Sequence, residues 1–270
     1  MVDAPPLEAL TRYVQISALW VRASRAYPLS WSLLVVGGFI ITGVEFVGIW
    51  ILFQNVHDLG GFSLHEVAFL YGGSGVAFAL ADLFVGRVER LGQMIRLGKL
   101  DQMMVRPVPL LVQVCADEFA LRRLSRVAQA GLVLGWACTY VDWTASRVLL
   151  TVLMLVAATV IFTSMFIALA CIQFWTIDSA EVANAFTYGG NTVASYPMTV
   201  FPSEVLKAMT FVVPLAFVNW YPSLHILGHA DPLGYPDWTQ WLSPLIAAAL
   251  VAVTMLVWRT GVRQYRSTGS

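Results

Sequence analysis

The chain has 270 residues, of which 58% are apolar and 12% charged, against about 45–50% and about 25% in ordinary soluble domains. So few charges cannot cover the surface of a soluble domain of this size, which excludes a soluble enzyme and predicts an all-α integral membrane protein. Sixteen Lys and Arg balance sixteen Asp and Glu, so net charge gives no reason to expect nucleic acid as a partner.

Residues 7–27 read as an amphipathic helix. Leu10, Val14, Ala18 and Val21 recur at helical spacing, Arg12, Arg22 and Arg25 lie elsewhere on the wheel, and Pro28 ends the pattern. Such a helix lies in a membrane interface. The arginines and the absence of a short apolar core with a cleavage site exclude a cleavable signal. A crossing helix needs roughly 20 mostly apolar residues. The first such stretch is 31–53, broken only by Glu45, and the second is 64–85, with Asp82 near its end. The charged segment 86–109 follows. In it Val88, Leu91, Met94 and Ile95 form the apolar stripe of a short helix, and Gly98 is a stop signal.

The third span is 124–141, which contains a Gly131/Gly135 pair of the kind that can mark close helix packing. The fourth is 147–175, uncharged from 148 to 177. The stretch before the last span, 241–258, holds two candidates. Residues 179–199 are helix-length but polar, with Glu181, Asn184 and Asn191. Residues 203–222 contain an apolar run of only about 14 residues, cut by Pro214, and runs so short more often re-enter than cross. The expectation is therefore that 179–199 crosses and 203–222 is an external re-entrant segment. The reverse assignment also gives six spans. With six, fourteen of the sixteen Lys and Arg fall on one side and only Arg147 and Lys207 on the other. The excess of Lys and Arg places both termini and 86–123 in the cytoplasm.

Catalytic signatures are sparse. Residues 92–99 read GQMIRLGK, but five residues separate the glycines and Leu100 follows the lysine, so the loop does not match a phosphate cradle. No HExxH or GxSxG occurs. His225 and His229 are four apart with Asp231 nearby, a conceivable metal set, although solvated loop residues are the simpler reading. Cys115, Cys138 and Cys171 have no ligand or disulfide spacing. Glu45 is the one charge near the middle of a clear span. It reads either as a contact for a cationic substrate group or as a neutral, hydrogen-bonded packing residue. Asp82 reads as solvated or Arg-paired, and Glu118 with Arg122 as a helix-surface pair. The 89–98 helix reads either as a docking element for a soluble partner or as a helix on lipid headgroups.

Several short motifs then occur in order: Gly98-Lys99-Leu100-Asp101 with Val105-Arg106-Pro107-Val108, next Tyr196-Pro197 and Phe201-Pro202, next Val213 to Asn219, and finally Gly261 to Ser270. In this order they resemble the ABC type 2 (ABC-2 family) transporter permeases, and more closely the subgroup of transport-system permeases often encoded beside an ABC ATPase. The resemblance implies six spans with an N-terminal elbow helix at 7–27, a cytoplasmic coupling helix at 89–98 and an external re-entrant segment before the last span. It implies an exporter in a bacterial plasma (inner) membrane. Two separate ATPase subunits would bind ATP and Mg, and the permease itself would hold no cofactor and no catalytic residue. A second permease subunit, identical or related, would complete the assembly. The residues expected to couple to the ATPase are Glu89, Arg90, Gln93, Met94, Arg96 and Gly98. Those expected to line the substrate path are Glu45, Asn184, Tyr188, Asn191 and Tyr196. An apolar, aromatic-rich path favours a hydrophobic or amphipathic substrate. A secondary transporter or a non-catalytic membrane scaffold is the alternative. The first would need several intramembrane charges, of which Glu45 alone qualifies clearly.

Overall fold

A computed structural model describes residues 6–24, 28–117, 123–176 and 180–265. Arg25, Tyr27, the Glu118/Arg122 pair, Ser179 and the 266–270 end of the last motif lie outside these residues. The described chain is α-helical, with one isolated bridge between Leu59 and Phe62. Helices α1 (Pro6–Ser24), α2 (Pro28–Leu52) and α3 (Leu64–Val85) come first. A 3-10 turn (Gly86–Arg90) then leads into the short helices α4 (Leu91–Arg96), α5 (Lys99–Met104) and α6 (Leu110–Ala116). Next are α7 (Leu124–Cys138), α8 (Ala145–Cys171), α9 (Ala180–Ala194), α10 (Ser203–Phe211), α11 (Trp220–Leu227) and α12 (Ser243–Gln264).

Four described stretches are long and apolar enough to cross a bilayer: Trp31–Leu52, Leu64–Arg96, Ala145–Phe174 and Ser243–Gln264. A fifth exists if Ser203–Phe211 and Leu215–Leu227 count as one span, but these two are bent by 83°. The bend falls at Pro214, whose ring disfavours helix at the preceding residue. Helices α7 and α9 each have 15 residues, about 22 Å of rise against an apolar core of about 30 Å. Helix α9 stops short of the expected 199 because Pro197 follows its last turn. Helix α12 continues beyond the expected 258 to Gln264.

Helix α3 is the centre of the bundle, packed by α7, α8 and α9. Its consecutive residues Val67, Ala68, Phe69 and Leu70 are all fully buried, which is why it reads as apolar on every face. Close approach of α7 requires glycine on α3. A Cβ at Gly72 would sit 2.7 Å from the Cα of Leu134, and one at Gly75 would sit 3.0 Å from the Ala130 methyl. Gly131 and Gly135, the pair that sequence spacing singles out, face open space instead. Helix α12 packs on α8, where Thr254 donates to the Ser164 carbonyl at 3.2 Å. Helix α2 packs mainly on α7 and leaves Leu33, Val36, Ile40, Val44 and Val47 exposed. Helix α1 packs on α6, and the Tyr13 hydroxyl donates to the Phe84 carbonyl at 2.8 Å. The Leu10 and Val14 stripe of α1 points away from the protein.

The loops gather at two ends. Trp175 at the end of α8 donates to Gln264 at the end of α12, and Tyr265 donates to Asp101 at 3.0 Å. The 86–117 segment, α1 and the start of α7 share this basic end. At the opposite end Thr199 donates to the Gly60 carbonyl at 2.8 Å, and the His65 ring stacks on Tyr140 at 3.6 Å. There Glu66 accepts from the Ser63 amide at 2.8 Å and contacts His229 at 2.6 Å, closing the start of α3. Helix α9 therefore runs from the basic end, where α8 finishes, to the opposite one.

Candidate functional site

Helices α2, α3, α7 and α9 enclose a cavity of about 370 Å³, within the range of small-molecule sites. Thr42 and Glu45, three apart on α2, face it together. Helix α3 contributes Tyr71, Gly75 and Phe78, one to two turns apart on one face. Helix α7 adds Arg126 and Gln129, and α9 adds Tyr188 and Asn191, with Ser195 and Tyr196 just beyond it. Four residues that the sequence singles out for a substrate path, Glu45, Tyr188, Asn191 and Tyr196, thus meet at one cavity. Asn184 does not line it. Sequence reading missed Thr42, Tyr71, Gln129 and Ser195; Thr42 was within reach of it, because it shares the helix face of Glu45.

The two ends of the cavity differ in charge. At the basic end Arg126 lies over the Phe78 and Tyr188 rings, 6.0 and 5.8 Å from their centroids. Its guanidinium is 3.5 Å from Asp82, which is almost fully buried and also paired with Arg123 at 3.3 Å. Asp82 is thus Arg-paired. Glu89 turns its carboxyl inward toward the same group, Asp82, Arg123, Arg126 and Tyr188. At the other end Glu45 lies 3.5 Å from the Tyr71 hydroxyl, a long contact. No described Lys or Arg lies within ion-pair distance of Glu45.

Polar side chains also fix the frame of the cavity. Ser74 donates to Asn191 at 2.9 Å, joining α3 to α9. Fully buried Asn219, before α11, donates to the Leu70 carbonyl at 2.6 Å and accepts from Ser223 at 3.0 Å. It holds the bent α10–α11 pair against α3.

The 86–106 unit presents two faces. Val88, Leu91, Met94 and Ile95 are buried, the stripe that sequence spacing predicts. Arg90, Gln93 and Arg96 are exposed, with Leu97 at 69% and Val105 at 85%. Of the residues singled out for coupling, Met94 and Glu89 therefore point inward. Gly98 adopts φ 65 and ends the turn after α4, a left-handed conformation that favours glycine. The unit is not one helix over 89–98 but a 3-10 turn, α4 and the separate α5. Buried Gln173 accepts from the Gly92 amide at 2.6 Å and donates to the Glu89 carbonyl at 3.0 Å. Lys99 pairs with buried Asp117 at 2.7 Å. Burial and the adjacent Asp101 push the Tyr265 hydroxyl up to about 12, so it stays protonated and donates to Asp101. The unit is thereby bonded to the turn just beyond α8, to the segment after α6, and to the chain just beyond α12.

The histidine set does not assemble. His229 pairs with Glu66, His225 lies against Trp241, and the Asp231 carboxylate accepts from the Leu233 and Tyr235 amides. No group of three potential ligands lies together among the described residues.

Long apolar helices around a polar, aromatic-lined cavity define a multi-pass α-helical membrane protein with room for a small molecule. The chain belongs to the ABC-2 family transporter proteins, whose family model matches residues 39–269. It is accordingly a membrane permease component of an ABC transporter, a class that associates with an ABC ATPase and is not typically itself catalytic. No curated protein and no solved structure matches it.

Proposed function

We propose that the chain is the permease subunit of an ATP-driven exporter that moves a hydrophobic or amphipathic substrate out of the cytoplasm of a bacterium. Two separate ATPase subunits bind ATP and Mg, and two permeases, identical or related, form the membrane part. Six crossings put both termini and the 86–106 unit in the cytoplasm, with α1 as the elbow helix and α10–α11 re-entrant outside. The opposite directions of α8 and α9 and the basic end support this arrangement.

One observation carries the reading: a unit with an exposed Arg90, Gln93 and Arg96 face is bonded through Gln173 and Asp101–Tyr265 to the ends of two long helices. An ATPase that grips Arg90 and Arg96 can shift α8 and α12 together. Glu89 extends the same unit to the Asp82–Arg126 pair under the cavity. ATP binding then biases a two-state element between inward and outward access.

The test is double charge reversal, Arg90→Glu with Arg96→Glu. Copurification with the ATPase, or transport-linked ATP hydrolysis in the reconstituted complex, is expected to be lost. Wild-type assembly together with wild-type hydrolysis rejects the docking face. Transport that persists with no ATPase present would favour a secondary transporter.

A further inference from the structure

We infer that the cavity binds a monovalent organic cation with an aromatic or apolar body, its charge held at Glu45. This deepens the reading of the cavity as the transport path and rests on it.

The charge distribution favours a cation over an anion. Among the described residues the cavity wall offers one cation, Arg126, and that guanidinium already faces Asp82 at 3.5 Å and Glu89. An anion entering the cavity would compete with both carboxyl groups for it. Glu45 has no such partner among the described residues. From Tyr71, its neighbour, to Phe78 under Arg126 is seven residues of α3, roughly 10 Å along the helix axis. The two charges therefore mark separate ends, and a body one ring-system long lies between them. Glu45 is exposed at the cavity wall; a carboxylate midway along a membrane-crossing helix costs free energy unless a cation or hydrogen bonds compensate it, and the 3.5 Å Tyr71 contact is weak compensation.

The walls suit the rest of such a molecule. Tyr71, Tyr188 and Tyr196 present rings around the space, and aromatic faces attract organic cations. The same walls already hold a cation in this way, since Arg126 lies over Phe78 and Tyr188.

The decisive pair of probes has one shape and two charges: tetraphenylphosphonium and tetraphenylborate. Equilibrium dialysis of the purified full chain in lipid nanodiscs, without ATP and corrected for empty nanodiscs, gives binding apart from transport. The phosphonium is expected to bind and the borate not. Glu45→Gln should weaken phosphonium binding at least tenfold, Glu45→Asp should largely keep it, and Glu45→Lys should reverse the preference. Equal binding of both probes, binding of neither, or undiminished phosphonium binding by Glu45→Gln overturns the inference. These outcomes are independent of the Arg90/Arg96 test. A cation site in a chain that fails to couple to an ATPase leaves this inference standing and the exporter reading rejected; the opposite pattern does the reverse.

Discussion

Gly72 and Gly131 show how little a residue's identity says without its neighbour. Both are helical glycines in apolar sequence, yet only Gly72 lies against backbone, at Leu134 of α7. Gly72→Val forces α3 and α7 apart, and overpacking of this kind typically costs about 1–3 kcal/mol. Gly131→Ala meets nothing within 4 Å and gains about 0.5–1 kcal/mol of helix propensity. Thermal unfolding in detergent should therefore show a clear fall for the first and no loss for the second. A GxxxG spacing identifies a smooth helix face but not the face that a neighbour uses. The glycines at the α3–α7 contact, Gly72 and Gly75, lie on α3 and break the spacing rule. Cysteine behaves by the same logic. Burial pushes the Cys115 thiol up to about 12, far from the thiolate form that reacts. Cys115 is expected to resist maleimide in the native protein at neutral pH and to label after denaturation. Labelling of native protein at the rate of a free thiol would contradict its burial.

At the scale of elements, the buried stripe of the 86–106 unit was legible and its attachments were not. Val88, Leu91, Met94 and Ile95 repeat at helical spacing, and that periodicity follows from burying one face. The attachment through Gln173 comes from a residue more than 80 positions away in an uncharged run. A lone glutamine there reads as a helix-end polar residue unless its partners are known. Its bond to the Gly92 amide is buried and that to the Glu89 carbonyl is partly buried. Gln173→Leu leaves both groups without that partner, at about 1–3 kcal/mol for the buried Gly92 amide and less for the partly buried Glu89 carbonyl. Amide exchange at 89–93 should accelerate and the melting temperature should fall. Unchanged exchange would mean that the unit is held without Gln173. The cavity divides in the same way. Glu45 stands out as a charge in an apolar run, and Tyr188, Asn191 and Tyr196 stand out in a polar helix. Tyr71 and Phe78 do not, because aromatic residues in α3 look like any other part of its all-round apolar surface.

For the whole molecule the question is which helices cross. Apolar length alone finds four, and six requires α7 and α9, both short. Two features support the proposed crossings despite their length. Each packs against α3, where α7 buries Ser125 and Gln129 and α9 bonds Asn191 to Ser74, so part of its polar side meets protein rather than lipid. Each also connects the two loop ends of the bundle, because the neighbours of Arg123 are basic-end residues and His65 stacks on Tyr140 at the opposite end. Single cysteines in a background lacking the native ones, labelled in intact cells with an impermeant maleimide, test each crossing separately. Cysteines at 57, 142 and 212 are expected to react, and those at 105 and 176 only after the membrane is opened. The comparison of 105 with 142 isolates α7, and that of 176 with 212 isolates α9. If 176 and 212 behave alike, α9 does not cross, and unless α10–α11 crosses in its place the Lys and Arg after α12 would then lie opposite those of the 86–106 unit. That outcome would weaken the charge asymmetry on which the orientation stands.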